Sequence, residues 1–223
     1  MNYKCDRVST EYGRFYRSPS TGLWYPSVTT VVNHKNKAFF EEWRKNPENQ
    51  LISKQALDSG QQLHTNMENY LAGKEPEFRN DVDADHFLNM QHVKNHITNI
   101  VCQEEVLYSD ELRMAGQVDL IANYNGILSI IDYKTSRKPK RREWIHHYFD
   151  QTFCYAVMSE ERLNIIPKQL VVIISTPGNG QAETFIERTR DVAKHCVTTI
   201  QDYWKIHNFI QIQNICEEKY HRS

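Results

Sequence analysis

The stretch Gly116-Gln-Val-Asp-Leu-Ile-Ala-Asn-Tyr-Asn125-Gly126-Ile-Leu-Ser-Ile-Ile-Asp132-Tyr-Lys134-Thr135 decides the fold. Two β-rich runs flank Asn125-Gly126, a dipeptide that tolerates the left-handed conformation of a two-residue hairpin turn. Counting back from that turn sets Tyr124 against Ile127 and Asp119 against Asp132, an expected non-hydrogen-bonded pair with its side chains about 5 Å apart. Lys134, two residues on, shares the face of Asp132.

Around these charges the strands are apolar, with Val118, Leu120 and Ile121 on one and Leu128, Ile130 and Ile131 on the other. Like charges opposed in such a sheet repel by about 4 kcal/mol at 4 Å even at an effective dielectric near 20. Lys134 is one positive charge against two negative ones. A divalent cation supplies the difference, and hard carboxylate oxygens suit Mg²⁺, with Mn²⁺ able to substitute. An Asp–Lys pair at a sheet edge, with the second Asp turned to water, fits the same spacing. Carboxylates, a metal and a lysine together suit phosphodiester hydrolysis, in which activated water attacks and developing phosphate charge is neutralised. Glu104 or Glu105, ahead of the hairpin, could add a ligand or steer the nucleophile, or could end a strand in solvent.

Outward from the hairpin the periods alternate. Ser27 is placed to cap a short helix over 28–32. A helical stretch over 37–46 stops before Pro47, and Ile52, Ala56, Leu63, Met67 and Leu71 predict a helix over 48–71. A further helix is expected over 83–101 and a short strand over 106–108. After the hairpin come a helix over 143–159, strands over 170–175 and 183–188, and a final helix over 191–210. The middle therefore reads α-β-β-β-α-β, an α/β fold with helices on both sides of a mixed sheet. No repeat or flexible linker divides the chain, so a single domain is expected over 1–223. Its parts are a mainly helical segment over 1–80, a core over 81–176, and a strand with a C-terminal helix over 177–223.

The motif residues resemble the RecB-type branch of the PD-(D/E)xK nuclease superfamily: Gly116-Gln-Val-Asp119, then Ile131-Asp-Tyr-Lys-Thr135. Val118 stands where the motif has proline. Gln151-x-x-x-Tyr155 resembles that branch's Q-x-x-x-Y motif, and Leu63-His64 after Gly60 resembles its histidine motif. Pro26-Ser-Val-Thr-Thr30 and Glu42-Trp43-Arg-Lys45 are similar to the mitochondrial genome maintenance exonucleases and their phage relatives. The resemblance spans roughly 24–160. It implies a restriction-endonuclease-like core and a Mg²⁺-dependent exodeoxyribonuclease acting on single-stranded DNA in replication, repair or recombination. It implies catalytic Asp119, Asp132, Lys134 and Glu104, and metal ligation by His64, Asp119, Asp132 and the Tyr133 backbone carbonyl. Substrate contacts are implied for Gln151, Tyr155, Ser27 and Thr29. An endonuclease or duplex-end exonuclease of the same superfamily, or a nucleic-acid-binding module without chemistry, are the alternatives. Outside the resemblance, His64 would read as a core residue, and Gln151 with Tyr155 as the polar flank of a helix.

Lys134 to Arg142 contains six basic residues and no acid. Arg137, Lys138, Lys140, Arg141 and Arg142 are thus expected to meet phosphates next to the metal site. Trp144, His146, His147, Tyr148 and Phe149 follow, suited either to stacking on unpaired bases or to a core. Over all 223 residues, 27 Lys plus Arg balance 28 Asp plus Glu, which excludes a wholly basic nucleic-acid coat. Five cysteines without a C-x-x-C pair predict neither a disulfide framework nor an iron–sulfur cluster. No apolar run spans a bilayer, and the opening Met1-Asn-Tyr-Lys-Cys-Asp lacks a leader's apolar core. A cytoplasmic location is therefore expected, the host's cytoplasm if the chain is phage-encoded.

Overall fold

The structure, a computed structural model, describes residues 5–222; Met1 to Lys4, part of the opening read above for a leader, lie outside the described residues. At its centre is a five-stranded sheet in sequential order: β4 (Ile97–Ser109), β5 (Met114–Tyr124), β6 (Ile127–Thr135), β7 (Gln169–Ser175) and β8 (Glu183–Arg188). All pairings are antiparallel except β6 with β7. That one parallel pair needs a crossover, which α5 (His146–Leu163) supplies. The hairpin forms in the expected register, Tyr124 against Ile127, with Asn125 at φ 51° and Gly126 at φ 81°.

Because side chains alternate across a strand, the sheet seeds two cores. Ile130, Val172 and Ile174 pack toward α5 and α6 (Thr189–Ile206). Ile131, Val171 and Ile173 pack with Leu63 and Met67 of α3 (Pro47–Leu71) and Phe87 and Met90 of α4 (Asp81–Met90). The α-β-β-β-α-β reading holds, with helices on both faces.

Three differences from expectation have physical causes. The segment expected to be mainly helical opens with an antiparallel sheet of β1 (Arg7–Thr10), β2 (Gly13–Arg17) and β3 (Trp24–Pro26). Val8, Phe15 and Trp24 of this sheet pack on Ile212 and Cys216 of α7 (Phe209–His221), a partner distant in sequence. The expected helix over 83–101 stops at Met90, and the chain enters β4 at Ile97. There the β-branched Ile97, Thr98, Ile100 and Val101 favour a strand. The last helix is two: extended His207 ends the first, and Asn208 caps the second, its Oδ1 accepting the Ile210 and Gln211 N–H groups at 2.9 and 3.2 Å.

The path from α1 (Val28–Val32) to α3 positions the site. Helix α1 packs against α5 and α6 on one face, whereas α3 packs against β6 and α4 on the other. The connection, which includes α2 (Lys37–Trp43), therefore crosses an end of the sheet. From Asn33 to Gln62 no residue is buried. Of the apolar stripe expected on α3, Leu63 and Met67 are buried, whereas Ala56 is exposed. All the cysteines are free thiols.

Candidate active site

Helix α3 runs antiparallel to β6, with Gly60 beside Thr135 and His64 beside Tyr133. His64 Nε2 lies 3.0 Å from the Tyr133 carbonyl oxygen. Its Nδ1 lies 3.2 Å from Glu104 Oε1 and 3.4 Å from Asp119 Oδ1. One ligand atom from each of His64, Glu104 and Asp119 falls within 4.8 Å of the others.

These three converge because the strands are locally irregular. Val118 and Ile121, three apart, belong to the same core, so the two-residue alternation slips at Asp119-Leu120. In the β4–β5 register the position facing Asp119 is Glu104, which the ladder skips and whose φ is 48°. A non-glycine residue in that left-handed region is uncommon and marks a constraint. Gln117 holds it, its Nε2 donating to the Glu104 carbonyl oxygen at 3.1 Å and to Oε2 at 2.8 Å.

The expected Asp119–Asp132 pairing is corrected by the same irregularity. The β5–β6 ladder ends at Leu120 with Ile131, one step short of the aspartates, and β6 continues against β7. The two carboxylates then take different partners. Asp119 turns to His64, and its Oδ2 accepts the Tyr133 N–H at 2.8 Å. Asp132, 1% exposed, accepts from Gln151 Nε2 at 2.9 Å through Oδ1 and meets Lys134 Nζ at 2.5 Å through Oδ2. The ammonium of Lys134 in turn lies 5.4 Å from the centroid of the Tyr148 ring. Asp132 stands next to the His64–Glu104–Asp119 cluster, and the charges of Asp119 and His64 act on it.

The electrostatics show a site short of positive charge. Burial alone would strip His64 of its proton, yet the charge of Asp119, with hydrogen bonds to Asp119 and Glu104, lifts the imidazole to about 10. Burial raises Asp132 to about 7 against the pull of Lys134, and Asp119 adds to the rise. Burial likewise raises Glu104. Asp119 goes the other way: burial opposes its charge, but His64 outweighs it and holds the carboxyl below its usual range. Burial would lower Lys134, but Asp132 and Asp119 hold it above the usual lysine range. An imidazole that keeps its proton so far above neutrality fills the place of a cation. One nitrogen and several carboxylate oxygens are a donor set that a divalent ion fits, with the Tyr133 carbonyl oxygen adjacent.

The remaining expected residues separate by location. Gln151 reaches the site through Asp132. Tyr155 is 3% exposed and packs on Gly116, where an added Cβ would stand 2.8 Å from its hydroxyl oxygen. In the structure Tyr155 is therefore buried against the motif glycine. Ser27 is also buried; it caps α1, its Oγ accepting the Thr30 N–H at 3.1 Å and lying 3.0 Å from Thr29 Oγ1. Its hydroxyl thus serves the helix start, and Thr29 bonds to it. In the basic loop, Arg137, Lys138 and Arg141 are exposed. Arg142 instead binds Glu187 at 2.7 Å, and the Lys140 backbone N–H donates to Glu183 at 3.1 Å. Gln117 was missed as a site residue. Its only sequence signal is its place inside Gly116-Gln-Val-Asp119, where its hydrogen bond to a left-handed Glu104 is invisible.

The chain is 28% identical over 138 residues to mitochondrial genome maintenance exonuclease 1 of Xenopus tropicalis, covering 56% of this chain and 39% of that protein. It is 26% identical over 128 residues to the Mus musculus protein of the same name (52% and 38%), and 26% over 129 residues to that of Homo sapiens (52% and 38%). The matched region thus spans about two-fifths of the length of these relatives. The family model of the PD-(D/E)XK nuclease superfamily matches residues 30–213, most of the chain and all of the site described above. This chain belongs to the PD-(D/E)XK nuclease superfamily.

Proposed function

We propose that the protein is a divalent-metal-dependent deoxyribonuclease, using Mg²⁺ with Mn²⁺ as a substitute, that works as an exonuclease on single-stranded DNA. The observation that carries this reading is the convergence of His64, Glu104 and Asp119 beside the Asp132–Lys134 pair. The ion, when bound, supplies Lewis-acid activation of water and neutralises phosphate charge. His64, Glu104, Asp119 and Asp132 would hold it, with the Tyr133 carbonyl oxygen beside them.

Lys134 keeps its proton at neutral pH, because Asp132 and Asp119 outweigh its burial. Its part is therefore electrostatic: the ammonium orients the attacking water and meets charge developing on the phosphate. Gln151 fixes Asp132, and Asp132 fixes Lys134. Arg137, Lys138 and Arg141 supply phosphate attraction at the end of β6. The exonuclease part of the reading rests on the names of the relatives, and the single-strand part on the motif resemblance given in the sequence analysis. They are supported by the connection that crosses the sheet end, which favours a threaded terminus over an open groove. A place in DNA replication, repair or recombination is part of the same reading, and the words genome maintenance in the relatives' names support it. Among the described residues no helix is long and apolar enough to cross a membrane, and we place the protein in the cytoplasm.

Cleavage of end-labelled linear and circular single-stranded DNA, with Mg²⁺ or with EDTA, tests the reading. Linear DNA should shorten progressively with Mg²⁺ alone, and the circle should resist. Asp132→Ala and Lys134→Ala should each abolish cleavage while DNA binding survives. Cutting of the circle overturns the exonuclease assignment, and wild-type turnover by either variant removes these residues from the mechanism.

A further inference from the structure

Helix α3 extends well past the sheet it packs on. Gly60 stands beside Thr135, the last residue of β6, so the turns from Pro47 to Ser59 overhang the strand's C-terminal end by about 20 Å. The basic loop leaves β6 at the same end. Helix α2, which leads into this overhang, contains no buried residue, although its sequence is Lys-Ala-Phe-Phe-Glu-Glu-Trp. Phe39 is 66% exposed and Phe40 44%. Their rings meet edge to face at 5.4 Å, and Phe40 meets Trp43 in the same way at 6.5 Å. Leu51 and Leu57 on the overhang are exposed as well. An aromatic cluster on a helix that contributes nothing to the core is expected to have an external partner.

We propose that Phe39, Phe40 and Trp43 form a stacking platform for the unpaired bases of a DNA strand held at the metal site. The proposal rests on the reading of that site as a DNA nuclease and names the part of the substrate that the arm takes. Three observations favour bases over a protein partner. Helix α3 joins the arm to His64, about 25 Å from Pro47 to His64 along the helix, a length that a bound strand of several nucleotides covers. Across the same sheet end the loop exposes Arg137, Lys138 and Arg141, which suits a polyanion. That bank too carries an exposed aromatic, Trp144, with the Arg141 guanidinium 5.4 Å from its ring centroid. Aromatic faces beside a basic track are the arrangement that holds single strands without reading their sequence. The cations of the arm itself add less: Lys35 pairs with Asp202, and Lys45 pairs with Glu42.

The experiment compares a fluorescein-labelled 20-mer of oligothymidylate with an abasic 20-mer of equal charge, by anisotropy in EDTA. The full chain is tested as wild type, as the Phe39→Ala/Phe40→Ala double variant and as Trp43→Ala. Stacking is worth about 1–3 kcal/mol per base, about five- to 150-fold in affinity. The wild type should prefer the base-bearing strand by at least about tenfold, and the double variant should lose that preference while binding the abasic strand as before. Phe39→Trp should retain it. Equal wild-type affinity for both strands, or an equal loss on both in the variants, overturns the proposal. So does a double variant that binds both strands normally but dissociates a self-associated form, which would assign the face to a second copy of the chain. Cleavage assays separate the two readings. DNA hydrolysis by a protein indifferent to these substitutions sinks the platform alone, whereas no hydrolysis of any DNA sinks the nuclease reading.

Discussion

Gln151 Nε2 donates to Asp132 Oδ1 across 2.9 Å, joining the middle of α5 to the central carboxylate of β6. Both groups are buried, so neither water nor another residue readily replaces the bond. Gln151→Leu should leave the helix in place but free Asp132, and with it Lys134. Activity should fall about 10- to 100-fold, by analogy with lost outer-shell partners in metal sites, with unchanged affinity for DNA in EDTA. Turnover and binding measured on one preparation decide the point; a loss of binding equal to the loss of turnover would make Gln151 a substrate contact instead.

Gly116 and Tyr155 form a second joint between motif and helix. An alanine at position 116 would bring its Cβ within 2.8 Å of the tyrosine hydroxyl and 3.1 Å of the ring. Tyr155 is enclosed and cannot swing away. Gly116→Ala should therefore cost about 1–3 kcal/mol, the usual range for overpacking, read as a lower midpoint in urea. Tyr155→Phe removes the nearest atom and should recover part of that loss in the double variant. Strict additivity of the two substitutions would show that the contact is not the cause.

The hairpin was legible because its signals are local. Asn125-Gly126 forces one turn, the turn sets the register, and the register brings Asp119 and Asp132 to the same end of the sheet. That the two carboxylates take different partners was not legible. It depends on Glu104 in a left-handed conformation and on a slip of alternation at Asp119, and both come from pairing with a strand that counting from the turn does not reach. The same holds for β1 to β3. Val8 and Phe15 are too sparse to announce strands, and what buries them is α7, at the other end of the chain. His64 needed its motif, since its neighbours Leu63 and Met67 suggest only a core position.

His147 should make stability fall on the acid side, beginning near pH 6.5, whereas Asp132, which burial raises to about 7, works in the opposite direction over the same range. Burial, helped by the charges of Lys134, Lys140 and His146, lowers His147 to about 4, and burial lowers His86 in the same direction. Above about 6.5, the ordinary histidine value, both folded and unfolded chains carry these imidazoles neutral, and the stabilisation is complete. Between 6.5 and 4 the unfolded chain takes up protons that folded His147 refuses, so this stabilisation drops progressively. Asp83 and Asp110 are held low against their burial, by Arg79 and by hydroxyl donors respectively, and extend the loss below about pH 4. Melting temperatures from pH 8 to 4, compared between wild type and His147→Gln, isolate this: relative to the variant, the wild type should lose stability between 6.5 and 4. An equal slope in both would mean that His147 titrates in the fold as it does in the open chain.

Removal of His64 should affect the metal requirement before it affects the fold. The imidazole lies between Glu104 and Asp119 at 3.2 and 3.4 Å, and its side chain is 21% exposed, so an alanine there leaves space that water can enter. Two things are lost together: a ligand nitrogen and the positive charge that balances two carboxylates without metal. His64→Ala should therefore raise the Mg²⁺ concentration for half-maximal cleavage, on the order of tenfold or more. It should also lower the melting temperature in EDTA, because Glu104 and Asp119 then repel without relief. Mn²⁺ should restore part of that melting temperature, since the carboxylates still bind an ion. A variant that melts lower to the same extent with and without Mn²⁺, and whose Mg²⁺ requirement is unchanged, would make His64 a packing residue of α3 and leave ion binding to the carboxylates alone.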